Sequence, residues 1–371
     1  MKFILLLIKI FMKFIYFFMK LFKTRNKVTF LSRQSNDITL DFSLISNELK
    51  KRDKTIEVCI LCKRFDNLKK EFIKYGIYII KSMYHIATSR VCVIDSYCLP
   101  ISILNHKKNL KVLQIWHALG AIKKFGYQTI NKKSGRSSIV AKYLNMHKNY
   151  DNIISSSREM TKYFMKAFGY SEEVFLNYGL PRIDYLIKNK IYIKKRIFKD
   201  YPKFKTKKNI LYVPTFRTTN DICVNELIKN INFNKYNLII KSHVNQNITF
   251  DKSEIFVCSD YSSVDLLTIS DYVITDYSAI ALEAAILDKK TYYYVFDYEK
   301  YKENNGLNIN LYKEMPGCVF KDIKKLIKEL EKEKYDMKTL RLYKDKYLGN
   351  LLGNSTELIT DKIVDWLSDY N

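Results

Sequence analysis

Acidic residues are scarce in this chain: 38 Asp and Glu stand against 64 Lys and Arg in 371 residues, a formal net charge of +26. A field of that sign favours anionic partners, whether nucleic acid, acidic lipid or a phosphorylated polymer. The excess is mostly Lys, a diffuse point charge, and the sequence has neither zinc-finger spacing nor an RNP-like stretch. Nucleic acid is therefore not the expected partner.

Ordered cysteine spacing is missing too. Seven Cys lie scattered through apolar stretches, an odd number that builds no disulfide framework and points to a reducing compartment. Cys59 and Cys62 form a CxxC, yet no second ligand pair accompanies them, and EVCILC reads as a buried strand rather than a metal or redox site.

The third shortage is of long apolar runs at the N-terminus. Within residues 1–23, MKFILLLIKIFMKFIYFFMKLFK, no apolar run exceeds residues 3–8. A spanning helix needs about 20 apolar residues in a row, and a secretory signal needs an unbroken apolar stretch with a small-residue cleavage site. Neither is present. What is present is a stripe: Lys2, Lys9, Lys13 and Lys20 fall within roughly 40° of one another on a helical wheel. Such a helix suits the membrane interface, lysines toward lipid phosphates and Phe, Leu and Ile toward acyl chains. A spanning helix and a buried core helix are the alternatives. The expectation is peripheral attachment to the cytoplasmic face of the cell membrane, the positive field meeting an anionic leaflet.

Apolar residues are otherwise abundant. Forty-seven per cent hydrophobic and 14% aromatic content is ample for packed cores, and the length exceeds what one core holds. Apolar, β-branched runs recur: IEVCILC (56–62), IYII (77–80), VCVID (91–95) and LKVLQIW (110–116) in the first half. NIISSS (152–157), NILYVP (209–214), NLIIKS (237–242), IFVC (255–258) and YVITD (272–276) follow. Strands apolar on both faces imply parallel sheets covered by helices on either side. The Lys- and Tyr-rich residues 188–208 read as a connection between domains. The expected architecture is α/β: a membrane-associating helix at 1–24, then two doubly wound Rossmann-like domains facing across a cleft, at 25–187 for an acceptor and 188–371 for a donor. The last helix is a candidate to pack back on the first domain.

Ligands of such sheets sit beyond the carboxyl ends of the strands, so residues there carry the interest. LQIWHALGAIKKFG ends a strand at Trp116 and His117 and turns through Gly120. An imidazole placed so is able to take a proton from a hydroxyl nucleophile, and a structural role is an even alternative. NLIIKSHVNQ repeats the placement with His243, Lys241 lying two residues before it, suited to a phosphate oxygen. Of the five His in the chain, only these two close predicted strands. YVITDYSAIALEAAI runs through Thr275, Asp276 and Ser278 into a helix, a start that binds phosphate or is merely capped. LYVPTFR brings Thr215 and the Arg217 guanidinium toward a strand end. In GLPRID (179–184), Arg182 and Asp184 adjoin a fixed turn, where a structural role is equally expected.

Taken in order, WHALGAIKKFG, YDNIISSS, GLPRID, ILYVPTFR, IIKSH, ITDYSAIALEAAILDKKTYYYVFDYEKY and MPGCV resemble the CDP-glycerol glycerophosphotransferase family, which includes the primases and polymerases of teichoic acid synthesis. The likeness spans residues 91–319. It implies a GT-B fold, a CDP-glycerol or related CDP-alditol donor, a lipid-linked glycan or teichoic-acid-type acceptor, and release of CMP. On that reading His117 matches the family's base and His243 its partner at the donor phosphates, with Arg217, Thr275 and Ser278 around the diphosphate and Glu283 where the family often has Asp. The pattern requires no cofactor or metal ion, and beyond Asp276 there is no acidic cluster suited to Mg²⁺. The chain has Ala118-Leu119 where the family commonly has Gly-Thr, and Ala279 where it usually has a second Ser, which leaves CDP-glycerol and CDP-ribitol both open as donors. A nucleotide-sugar glycosyltransferase of the same fold is the alternative enzyme, and a basic binding protein with structural histidines the non-enzymatic one.

Overall fold

Among the described residues, twelve short strands are the framework. A computed structural model describes residues 2–65, 70–215, 220–241, 254–349 and 353–368. Six strands form one sheet: β1 (Lys27–Ser32), β2 (Glu57–Cys62), β3 (Val91–Ile94), β4 (Lys111–Gln114), β5 (Asn152–Ile154) and β6 (Phe175–Leu176), in the order β2-β1-β3-β4-β5-β6. Six more form a second: β7 (Lys208–Val213), β8 (Tyr236–Ile240), β9 (Ile255–Phe256), β10 (Tyr272–Thr275), β11 (Lys290–Tyr294) and β12 (Val319–Phe320), in the order β12-β11-β10-β7-β8-β9. Every pairing is parallel. In each sheet the winding reverses once, between β1 and β3 and between β7 and β10. A doubly wound sheet opens its ligand crevice at such a switch point.

The chain divides into two compact units. One comprises Met1–Leu119, Phe125–Asp184 and Leu351–Asn371; the other comprises Gly120–Lys124 and Tyr185–Asn350. The helix Ser355–Ser368 belongs to the first unit, packing on the helix Leu40–Arg52. Gly120–Lys124 belongs to the second, where the Lys124 amide donates to the Gly306 carbonyl at 3.0 Å and the Asn308 amide to the Ile122 carbonyl at 2.8 Å.

The structure bears on three local readings of the sequence. Residues 77–80 are not a strand but part of the helix Phe72–Ala87, whose buried Tyr78, Ile79, Met83 and Ile86 follow helical spacing. Residues 188–208, read as a connection between domains, are helical as far as Asp200, within the helix Pro181–Asp200. β1 forms at residues 27–32, outside the runs read as strands. Its six residues are all buried, including Lys27, whose ammonium bonds Thr88 Oγ1 and lies 3.4 Å from His85 Nδ1.

The N-terminal helix, Lys2–Met19, presents an inverted face. Met12 and Tyr16 are buried, whereas Phe11, Phe14 and Phe17 are about three-fifths exposed. Lys9, expected to meet lipid phosphates, instead donates to the Tyr143 carbonyl and to Asn145 Oδ1 at 3.1 Å. Tyr16 bonds His106 Nδ1 at 2.9 Å; His106 Nε2 must carry its proton, because it faces the Ile101 carbonyl at 2.8 Å. Among the described residues, no helix is long and apolar enough to cross a membrane.

Candidate functional site

The loop after β4 is held from three directions. Gln114, buried at the strand's end, donates through Nε2 to the Ser96 carbonyl and accepts the Trp116 amide on Oε1 at 2.8 Å. That grip holds Trp116 at φ +55°, a conformation costing about 1 kcal/mol or more in a bulky residue. The indole stacks on Phe125, centroids 4.7 Å apart, and touches the His117 ring at 4.2 Å. The turn therefore projects His117 beyond the carboxyl edge of the sheet with its ring braced on one side.

The His117 ring is fixed chemically as well. Nδ1 lies 3.0 Å from the Asp95 main-chain oxygen. A carbonyl only accepts, so Nδ1 carries the proton, and in the neutral ring Nε2 carries the lone pair. Nε2 is then the acceptor atom of the ring. Its own carbonyl accepts from Arg182 Nη2 at 3.1 Å, and Arg182 is anchored in turn by buried Asp41. Asp41 Oδ1 takes the Arg182 amide at 2.8 Å, and Oδ2 takes Nε at 2.9 Å and Nη2 at 2.6 Å. Arg182 is thereby brought to the histidine loop. Asp184 is not: its two oxygens accept the amides of Ser355 and Thr356, capping the C-terminal helix of the same unit. Gly120 is buried where the chain enters the second unit.

Asp95 was not singled out in the sequence, although VCVID places it directly after a strand. It is 3% exposed, and Oδ1 has no hydrogen-bond partner among the described residues. Burial, with Asp41 adding to it, raises its pKa to about 6, against the pull of Ser32, Ser96 and Arg182. The folded value exceeds the unfolded one, so unfolding free energy falls as pH climbs from about 4 to 6 and the buried carboxylate then costs up to about 3 kcal/mol. Asp95→Asn is expected to raise the melting temperature at pH 7 to 8 and to flatten the stability profile between pH 4 and 6, measured by thermal unfolding across that range.

At the switch point of the second sheet, the polar groups are largely committed to the fold. Asp276 accepts the Thr215 amide at 2.9 Å, the Thr215 hydroxyl at 2.7 Å and the Tyr277 amide at 2.6 Å. Its carboxylate joins the end of β7 to the end of β10 rather than standing open to Mg²⁺. Thr275, fully buried, donates to the Val213 carbonyl at 2.7 Å, so its hydroxyl braces the sheet instead of facing a phosphate. Glu283 is 5% exposed within the helix Ile280–Ile286. Ser278, half-buried between β10 and that helix, is the hydroxyl left at this edge. Lys241 follows β8 and donates to the Cys258 carbonyl at 3.0 Å, burial lowering its pKa. Arg217 and His243 lie outside the described residues. No group of three His, Cys, Asp or Glu suited to a metal ion occurs among the described residues. Cys59 and Cys62, three apart on β2, point to opposite faces.

The model of the CDP-glycerol:poly(glycerophosphate) glycerophosphotransferase family matches residues 13–365. A teichoic acid ribitol-phosphate primase of Bacillus spizizenii is 29% identical over 92% of this chain and 92% of its own length. A teichoic acid glycerol-phosphate primase of Bacillus subtilis is 31% identical over 80% of this chain and 78% of its own. Among solved structures, the wall teichoic acid polymerase TagF superimposes with a TM-score of 0.76 at 19% identity, covering all of this chain and 98% of that one. A UDP-GlcNAc 2-epimerase of Methanocaldococcus jannaschii aligns with a TM-score of 0.61 at 14% identity, over 91% and 99% of the two chains. These neighbours share the fold of paired parallel sheets, and the match along the sequence fixes the relationship: the chain belongs to the CDP-glycerol:poly(glycerophosphate) glycerophosphotransferase family.

Proposed function

We infer that this chain transfers an alditol phosphate, glycerol phosphate in the first instance, from a CDP-linked donor to a hydroxyl of a cell-envelope glycan or teichoic-acid-type acceptor. The observation that carries the reading is the His117 tautomer set by the Asp95 carbonyl, which puts a basic nitrogen at the edge where the first sheet opens. The acceptor oxygen attacks the alditol-bearing phosphorus, its bond to phosphorus forms, and the bond from phosphorus to the CMP oxygen breaks. The hydroxyl proton passes to His117 Nε2, and CMP departs with the electron pair. Positioning such a base contributes about 10²–10⁴-fold. His243, Arg217 and Lys241 are proposed to offset the diphosphate charge and Ser278 to donate a hydrogen bond to it, on the strength of their positions in the sequence and of the family pattern.

The acceptor is proposed to be lipid-linked and the enzyme to work at the cytoplasmic face of the membrane. The exposed Phe side chains of the N-terminal helix and the net charge of +26 support that placement.

The donor is tested by supplying CDP-glycerol, CDP-ribitol and a UDP-sugar separately with a lipid-linked acceptor. CMP release from one or both CDP-alditols is the expected result. Turnover of the UDP-sugar alone overturns the reading in favour of glycosyl transfer.

A further inference from the structure

The helix Phe72–Ala87 turns its inner side to the first sheet, Tyr78 donating to the Ser32 carbonyl at 3.1 Å. Its outer side is apolar and exposed. Phe72 and Ile73 are more than 70% accessible, and Ile77 and Ile80 about half. Ile73, Ile77, Ile80 and Tyr84 follow helical spacing along one stripe. That stripe ends against the N-terminal segment, where the Tyr84 and Phe22 rings meet edge to face at 5.6 Å. Phe18, Leu21 and Phe22 are themselves exposed, and the helices Lys2–Met19 and Phe72–Ala87 pack on each other. The outward apolar surface thus continues from one helix to the next within the first unit. Isolated surface hydrophobics are ordinary; a contiguous patch rimmed by charge marks a docking face.

We propose that the helix Phe72–Ala87 is a second membrane-inserting element, entering the bilayer interface beside the N-terminal helix so that the two form one apolar footprint. The occupant is a lipid surface with anionic headgroups, because Lys13, Lys23, Lys74 and Lys81 are exposed on these segments alongside the apolar side chains. The proposal rests on the membrane reading above and adds to it which residues enter. It also implies that the first helix is not a detachable anchor, since Met12 and Tyr16 are packed and Lys9 is bonded inward.

The test uses the full chain with vesicles of phosphatidylcholine and phosphatidylglycerol in a flotation assay. The combined variant Phe72→Ser, Ile73→Ser, Ile77→Ser and Ile80→Ser is expected to lose at least about tenfold in partitioning, while releasing CMP from CDP-glycerol at the unaltered rate with a soluble acceptor. Ile73→Trp is expected to be quenched by bromolipids. Unchanged partitioning of the combined variant, with release by Phe11→Ser, Phe14→Ser and Phe18→Ser, overturns the second element and leaves the first. Failure of the unsubstituted protein to float removes the membrane reading and this inference together. A self-associated species that the same four substitutions dissociate, with Ile73→Trp unquenched, assigns the face to a second copy and overturns the proposal.

Discussion

His117→Asn is expected to lower turnover of the CDP-alditol by about a hundredfold or more, equivalent to about 2.7 kcal/mol of transition-state stabilisation. Asn occupies similar volume and keeps a polar side chain near the Asp95 carbonyl, but it has no basic nitrogen where Nε2 stands. The comparison is made on kcat for CMP release, with the melting temperature confirming an intact fold. Asp95→Asn should not mimic it, because the group that orients the imidazole is the Asp95 main-chain oxygen. A loss of only a few fold on His117→Asn removes the imidazole from proton transfer.

The second large effect is structural in origin and catalytic in readout. Arg182→Met leaves Asp41 as a buried carboxylate that has lost all its guanidinium bonds, and the His117 carbonyl loses a donor. Breaking one side of a buried pair typically costs about 3 to 5 kcal/mol. The exposure of Arg182, 20% of its side chain against 5% for Asp41, places the expected loss near the lower figure, about 3 kcal/mol by chemical denaturation. The double variant Asp41→Leu, Arg182→Met is expected to recover much of that stability while kcat stays low, because the histidine loop is still without its clamp. If kcat recovers together with stability, Arg182 is a structural residue and not a positioning one.

What the sequence discloses and what it conceals follow from the range of the interactions. β3, β4 and β10 announce themselves because a parallel strand buried on both faces is rich in apolar residues, whereas β2, apolar in sequence, is a half-buried edge strand. Residues 77–80 deceive for the same reason: four β-branched or aromatic residues look alike in strand and helix until Met83 and Ile86 extend the period. β1 hides because its first residue is Lys27, buried only because Thr88 and His85 wait sixty residues away to receive it. β6 and β12, two residues each, are too short to carry any pattern.

At the site, position after a strand marks His117 correctly as a projecting residue and applies equally to Asp95. Position alone does not foretell the structural bonds of Asp184, Thr275 and Asp276, whose partners lie at Ser355, Val213 and Thr215. Whether a polar side chain faces ligand or braces the fold is decided by groups that distant sequence brings up to it. Asp41 gives no local signal at all, its partner Arg182 standing 141 residues on. The lysine stripe of the N-terminal helix predicts an amphipathic element with its phenylalanines toward lipid; the phenylalanines are exposed, but Lys9 is bonded to the protein body.

In the proposed reaction, phosphorus, still bonded to the alditol, moves from CMP to an acceptor oxygen. Phosphorus-31 NMR of the purified enzyme with CDP-glycerol and a hydroxyl-bearing acceptor follows this directly. CMP and a new phosphodiester resonance are expected to grow in equal amounts, both requiring the acceptor. CMP appearing with free glycerol phosphate at the same rate whether or not acceptor is present, or CDP appearing in place of CMP, contradicts it.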